Sequence, residues 1–99
     1  VADMPLIGST IILRMEFYDP KTNELCDPVD INIKMYNNMR RQVGETIVLT
    51  EENRVDLGIY ECSYVIPEGR GRLTYEISAT IDNNPVVYRG YIERVFVEG

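Results

Sequence analysis

Hydrophobic and polar residues alternate along most of the chain with a period of two, the signature of β-strands that bury one face. In a first strand Ile11, Leu13, Met15 and Phe17 form one row, and Ile12, Arg14, Glu16 and Tyr18 form the other. A second sets Val29, Ile31, Ile33 and Met35 against Asp30, Asn32, Lys34 and Tyr36. Residues 46–49 predict a short third strand, and Arg54 with Val55 a short edge strand. From Ile59 onward Tyr60, Cys62, Tyr64 and Ile66 share the face predicted to be core, as do Leu73, Tyr75, Ile77, Ala79 and Ile81 in the next strand. The last strand is predicted over 86–97, with a bulge near Gly90.

Turn chemistry separates these runs. Asp19-Pro20 with Asn23, Asn37-Asn38, Pro67 with Gly69 and Gly71, and Asp82 to Pro85 all carry residues that fix or relax the backbone at turns. Nowhere does helical periodicity reach three turns. About seven short strands so punctuated predict an all-β fold, an antiparallel two-sheet sandwich of the immunoglobulin-like kind. Unequal strand lengths and the lack of a corner-glycine pattern argue against a closed barrel. The sandwich is assigned to residues 9–99, and residues 1–8 are read as an N-terminal arm. That arm is apolar at Val1, Met4, Leu6 and Ile7 without alternation, and Pro5 lacks a ladder donor. Met4, Leu6 and Ile7 are therefore candidate partner contacts.

Composition narrows the function classes. At 99 residues the chain is one small domain, and its Asp+Glu 16 against Lys+Arg 10 give a net charge of −6. An acidic balance disfavours direct binding to nucleic acid or to an anionic membrane surface. The sequence contains no His, no phosphate-cradling glycine loop and no Gly-x-Ser-x-Gly elbow. The chain is accordingly read as not an enzyme, with no catalytic, cofactor-binding or metal site. Asp19, Asn23 and Glu24, with Asp27 and Asp30, would offer oxygens to calcium, but their spacing matches no calcium loop and turn formation explains them better.

The cations are more informative. Eight are Arg and only Lys21 and Lys34 are Lys, beside seven Tyr. Arg and Tyr are enriched at protein–protein contacts. Arg40 and Arg41 fall in a connection expected at a sheet end, and Arg70 and Arg72 flank Gly71 in a turn. These four join Met4, Leu6 and Ile7 as candidate partner-binding residues.

The run Asp56-Leu57-Gly58-Ile59-Tyr60-Glu61-Cys62 resembles the Asp-x-Gly-x-Tyr-x-Cys stretch of immunoglobulin domains. The resemblance implies structural roles for Asp56, Gly58, Tyr60 and Cys62, with the Tyr60 hydroxyl closing a corner onto protein. The chain departs from that pattern in having no Trp, and Cys26, the single candidate partner for Cys62, sits at a strand rim. Two free thiols are expected, as in a protein made in a reducing compartment.

A wider resemblance covers most of the chain. Asp27-Pro28 before Val29 to Tyr36, the Gly58 to Pro67 segment and the Leu73 to Ile81 strand resemble small immunoglobulin-like domains of tailed-bacteriophage and prophage structural proteins. It implies a non-catalytic virion structural or accessory protein (decoration, head-to-tail or tail-associated). Such a protein is made in the bacterial host cytoplasm, works in the virion, and contacts other virion proteins or copies of itself as an oligomer. The alternative is an adhesive or carbohydrate-binding surface module using Tyr18, Tyr36, Tyr88 or Tyr91 as its aromatic platform.

Overall fold

A computed structural model describes residues 8–69 and 71–94. The alternating segments form seven strands: β1 (Thr10–Glu16), β2 (Val29–Tyr36), β3 (Ile47–Val48), β4 (Arg54–Asp56), β5 (Ile59–Val65), β6 (Arg72–Ile81) and β7 (Asn84–Glu93). They make two antiparallel sheets, one of three strands in the order β1-β5-β4 and one of four in the order β3-β2-β6-β7. A 3₁₀ turn, Glu51–Asn53, precedes β4, and Thr50 and Asn53 cap it reciprocally. Among the described residues no helix is long and apolar enough to cross a membrane.

The inward rows are those the alternation predicts, except that Val29, ahead of a register shift in β2, is 59% exposed. Met15, Phe17 and Tyr60 from the three-stranded side meet Ile31, Ile33, Met35, Ile77, Ala79 and Ile81 from the other, with Leu49 joining them. Phe17 lies edge-on to Tyr60 at 5.9 Å and to Tyr88 at 6.2 Å between ring centroids. Ile66, Leu73 and Ile92 close a smaller cluster. The two sheets thus cover one apolar interior, as a two-layer β domain must.

Three local expectations are corrected. The last strand begins at Asn84, because Asp82 and Asn83 both take positive φ (51° and 63°) and form a tight two-residue hairpin turn. Gly90 is not bulged: the β6–β7 register runs unbroken from Arg72↔Glu93 to Ile81↔Asn84. Gly90 is instead covered by the Tyr75 ring, which a Cβ there would strike. Register shifts lie instead between Val29 and Asn32 of β2, where Asp30 adopts φ 53°, and between Arg54 and Asp56 of β4.

The pairings also sort the loops into two ends. β1 finishes, β5 starts and the β6–β7 hairpin turns at one end, where Lys21 pairs with Asp82 at 3.3 Å. Toward this end lie the carboxylates of Asp27, Asp30 and Glu51 around one cleft, with Asp56 and Asp82, alongside Lys21 and Arg54. At the opposite end, loop 37–45 meets the β5–β6 turn, with the Asn38 amide beside Gly71. Arg94 ties that turn from the end of β7, donating from Nε to the Gly71 carbonyl and from Nη1 to the Glu68 carbonyl.

Candidate functional site

The first candidate surface grows from the register of the four-stranded sheet. Its outward rows run Tyr36–Thr74–Tyr91, Lys34–Glu76–Arg89 and Asn32–Ser78–Val87, with Arg72 beside Glu93 next to the first. Arg72 donates to Glu93 at 2.8 and 2.9 Å and lays its guanidinium 3.9 Å from the centre of the Tyr91 ring. Arg89 pairs with Glu76 at 3.0 Å. Beside Tyr36, Arg40 and Arg89 rim a shallow depression of about 560 Å³ floored by Thr74 and Glu76.

The connection after β2 is shaped by one side chain. Asn37 Oδ1 accepts the N–H groups of Met39 (2.9 Å) and Arg41 (3.0 Å), and the Asn37 N–H donates to the Arg41 carbonyl at 2.9 Å. This turn puts Arg40 at φ 62° and leaves Met39, Arg40 and Arg41 exposed. Of the residues singled out in the sequence, the structure therefore gathers Arg40, Arg41 and Arg72 at one end. Arg70, Met4, Leu6 and Ile7 lie outside the described residues. Lys34, Tyr36, Arg89 and Tyr91 complete this surface. The strand alternation turns each of them to the outward face, but only sheet order makes them neighbours.

The second candidate lies at the other end, around Asp56, Gly58, Tyr60 and Cys62. Gly58 is required by its place: it takes φ 69°, and a Cβ would sit 2.9 Å from Cys26 N, Cys26 O and Phe17 O. Its carbonyl accepts the Phe17 N–H at 2.8 Å and its N–H donates to Asp27 Oδ1 at 2.7 Å. Arg54 Nε donates to both Asp27 oxygens at 3.1 Å. The Gly58 amide first, and the Arg54 guanidinium second, hold the Asp27 carboxyl below its usual range. Asp56 accepts the N–H of Leu57 at 2.7 Å.

The expected tyrosine corner is corrected in its chemistry. The Tyr60 ring is buried, with the residue 5% exposed, yet its hydroxyl makes no hydrogen bond with any described residue. Asp27 holds the corner instead, through the Gly58 amide and Arg54. The hydroxyl faces a cleft of about 550 Å³ with Ile31 and Leu49 on its apolar side and Asp30, Glu51 and Arg54 on its polar side. Burial, and then the Asp27 carboxylate, push the Tyr60 phenol up, so it stays protonated.

Asp27, offered by the sequence as a calcium oxygen, is thus a bracket between a backbone amide and Arg54. No group of three or more acidic or Cys side chains among the described residues is arranged to hold a metal ion. Cys26 and Cys62 are free thiols. Burial raises both, and Asp19 and Asp27 raise Cys26 further, which makes each a weak nucleophile. Comparison with known protein families, curated proteins and solved structures returned no match.

Proposed function

We propose that this chain is a non-catalytic assembly module with an immunoglobulin-like sandwich, acting through protein–protein contacts as a structural or accessory component of a tailed-phage virion. Strand order supports the fold assignment. β1, β5 and β4 follow the order B, E, D of immunoglobulin domains, and β3, β2, β6 and β7 follow C′, C, F, G. One departure is that the Asp56–Cys62 stretch leads into the strand at the E position, whereas its immunoglobulin counterpart leads into F.

The observation that carries the functional reading is the outward face of β2, β6 and β7. Tyr36, Tyr91, Arg72 and Arg89 lie there within three adjacent strands of an acidic protein, with Arg40 on the loop beside Tyr36. Tyr91 is 58% exposed although it is held in place by Arg72, which makes it a preordered contact. The phage setting, synthesis in the host cytoplasm and contact with other virion proteins rest on the resemblance of the chain to phage structural domains.

A glycan platform fits this face less well. The Tyr91 ring is capped by Arg72, and Thr74 separates it from Tyr36. Elsewhere the Tyr18 hydroxyl donates to Glu16 and the Tyr88 ring packs edge-on to Phe17. Light scattering of the chain mixed with the products of neighbouring genes tests the reading. One mixture should give a complex that Arg72→Glu and Tyr91→Ser each weaken about tenfold without moving the thermal midpoint by more than a few degrees. Binding on a glycan array with no complex in any mixture would overturn it.

A further inference from the structure

We propose that the cleft beside Tyr60 is a receptor for the arginine-bearing tip of loop 37–41 from a second copy, so that the chain associates head to tail. This rests on its being an assembly module and names the partner of one of its surfaces.

The cleft has the marks of a binding site rather than of a chance acidic patch. Tyr60 is almost wholly buried, but its hydroxyl is neither bonded to a described residue nor sealed from solvent. It therefore opens into the cleft as a polar group with its hydrogen-bonding capacity unused. Asp30 and Glu51 line the same cleft and hold no ion pair or hydrogen bond through their carboxylates among the described residues. Asp30 is held at φ 53° by the β2 register shift, so the backbone presents that carboxylate from an uncommon conformation. Arg54 lines the same cleft, but its ion pair is with Asp27 and it makes none with Asp30 or Glu51. What remains is an apolar wall with two free carboxylates and a phenol, a match for a cation on an apolar stem.

The opposite end of the same molecule displays that chemistry. Met39 is 70% exposed at the loop tip, and the Arg40 and Arg41 guanidinium groups make no ion pair or hydrogen bond with any described residue. The loop backbone is already fixed by Asn37, so docking orders little more than side chains. Met39 suits the Ile31 and Leu49 wall, and Arg40 and Arg41 suit Asp30 and Glu51. Because cleft and tip are different surfaces at opposite ends, their contact is heterologous. Repetition then gives an open chain, or a ring where the rotation closes.

The test is sedimentation velocity of the whole chain over rising concentration, at about 20 mM and about 500 mM salt. The unaltered chain should form species larger than a dimer that grow with concentration and dissolve at high salt. A cleft-blocked variant, Asp30→Lys with Glu51→Lys, and a tip-blocked variant, Arg40→Glu with Arg41→Glu, should each stay monomeric. Mixed at low salt, the two carry complementary charge at both contacts, the unaltered tip facing the unaltered cleft and the reversed tip the reversed cleft, and should assemble together. Tyr60→Phe should weaken association several-fold. If the thermal midpoint shows that either charge-reversed variant does not fold, the neutral variants Glu51→Gln and Arg41→Gln replace it and should weaken association about tenfold.

A chain that stays monomeric, one that stops at a symmetric dimer, or a blocked variant that still assembles alone would each overturn the proposal. If the chain is monomeric alone yet binds a neighbouring gene's product through Arg72 and Tyr91, this inference fails and the broader reading stands. If self-assembly follows the charge reversals but no mixture gives a complex, the broader reading of the sheet face fails and this one stands.

Discussion

The two ends of the molecule use charge in opposite ways. At the carboxylate end, Asp27 is consumed by structure: it takes an amide from Gly58 and a guanidinium from Arg54, and so fixes the entry of β5 beneath the 17–28 connection. At the arginine end, the turns are held by Asn37 and by Arg94 against backbone carbonyls, and Arg40 and Arg41 are left over. A charge already paired within a loop has less to offer a partner. Among the charged groups the fold leaves unpaired are Arg40 and Arg41 at one end, and Asp30 and Glu51 at the other.

Two glycines break the comparison most sharply. Gly58 and Gly44 have similar backbones, φ 69° and 74°, but only Gly58 has atoms where a Cβ would go. Gly58→Ala must displace the backbone of Cys26 or Phe17 as well as bear a left-handed conformation. It is expected to cost about 3 kcal/mol or more, or to abolish folding. Gly44→Ala bears the conformational term alone, about 1 kcal/mol. Urea denaturation of the two variants checks this. Equal losses would mean that the carboxylate end is no more tightly built than the other.

A pH titration sharpens the same contrast with a smaller effect. Asp27 stays ionised to lower pH in the folded chain than in the unfolded one, because the Gly58 amide and Arg54 stabilise its charge. The unfolded state therefore binds the proton first. The stabilisation is complete above the ordinary carboxylate value of about 4 and is lost as pH falls through the lower folded value. Asp27→Asn keeps an oxygen for Gly58 but turns a neutral amide toward Arg54. It should lower the denaturation midpoint at pH 7 and flatten its decline in acid. An acid limb as steep as that of the unaltered chain would remove Asp27 from this role.

How much of this could be read from the residues depends on its range. A period of two is local, so the inward rows through Met15, Ile33, Tyr60 and Ile77 were legible, as were the hairpin residues Asp82 and Asn83. Sheet membership is not local. Nothing in the alternation of β5 says that it leaves β6 to pair with β1 and β4, and so nothing placed Tyr36 and Tyr91 on one face or Arg40 and Arg72 at one end. The Asp27 bracket joins residues 27 and 31 positions apart and was open to misreading as a calcium oxygen. Asp30 was assigned to the polar row of a regular strand, because a single left-handed residue leaves no trace in a hydropathy pattern.

The smallest expected effect falls on the residue for which the sequence promised a larger one. A tyrosine corner with a bonded hydroxyl would lose about 1 kcal/mol in Tyr60→Phe, the ordinary value of a buried hydrogen bond. Here the hydroxyl is bonded to no described residue, while the ring keeps its edge-on contact with Phe17. Phe preserves that contact and removes only an oxygen that the cleft keeps wetted. The denaturation midpoint of Tyr60→Phe should therefore match that of the unaltered chain within about 0.5 kcal/mol. Tyr60→Ala empties the ring's place among Met15, Ile31 and Phe17 and should cost about 3–5 kcal/mol. The gap between the two variants separates ring from hydroxyl. A loss of about 1 kcal/mol in Tyr60→Phe would restore the corner and give the oxygen a structural duty, whereas an unchanged midpoint leaves it free for whatever enters the cleft.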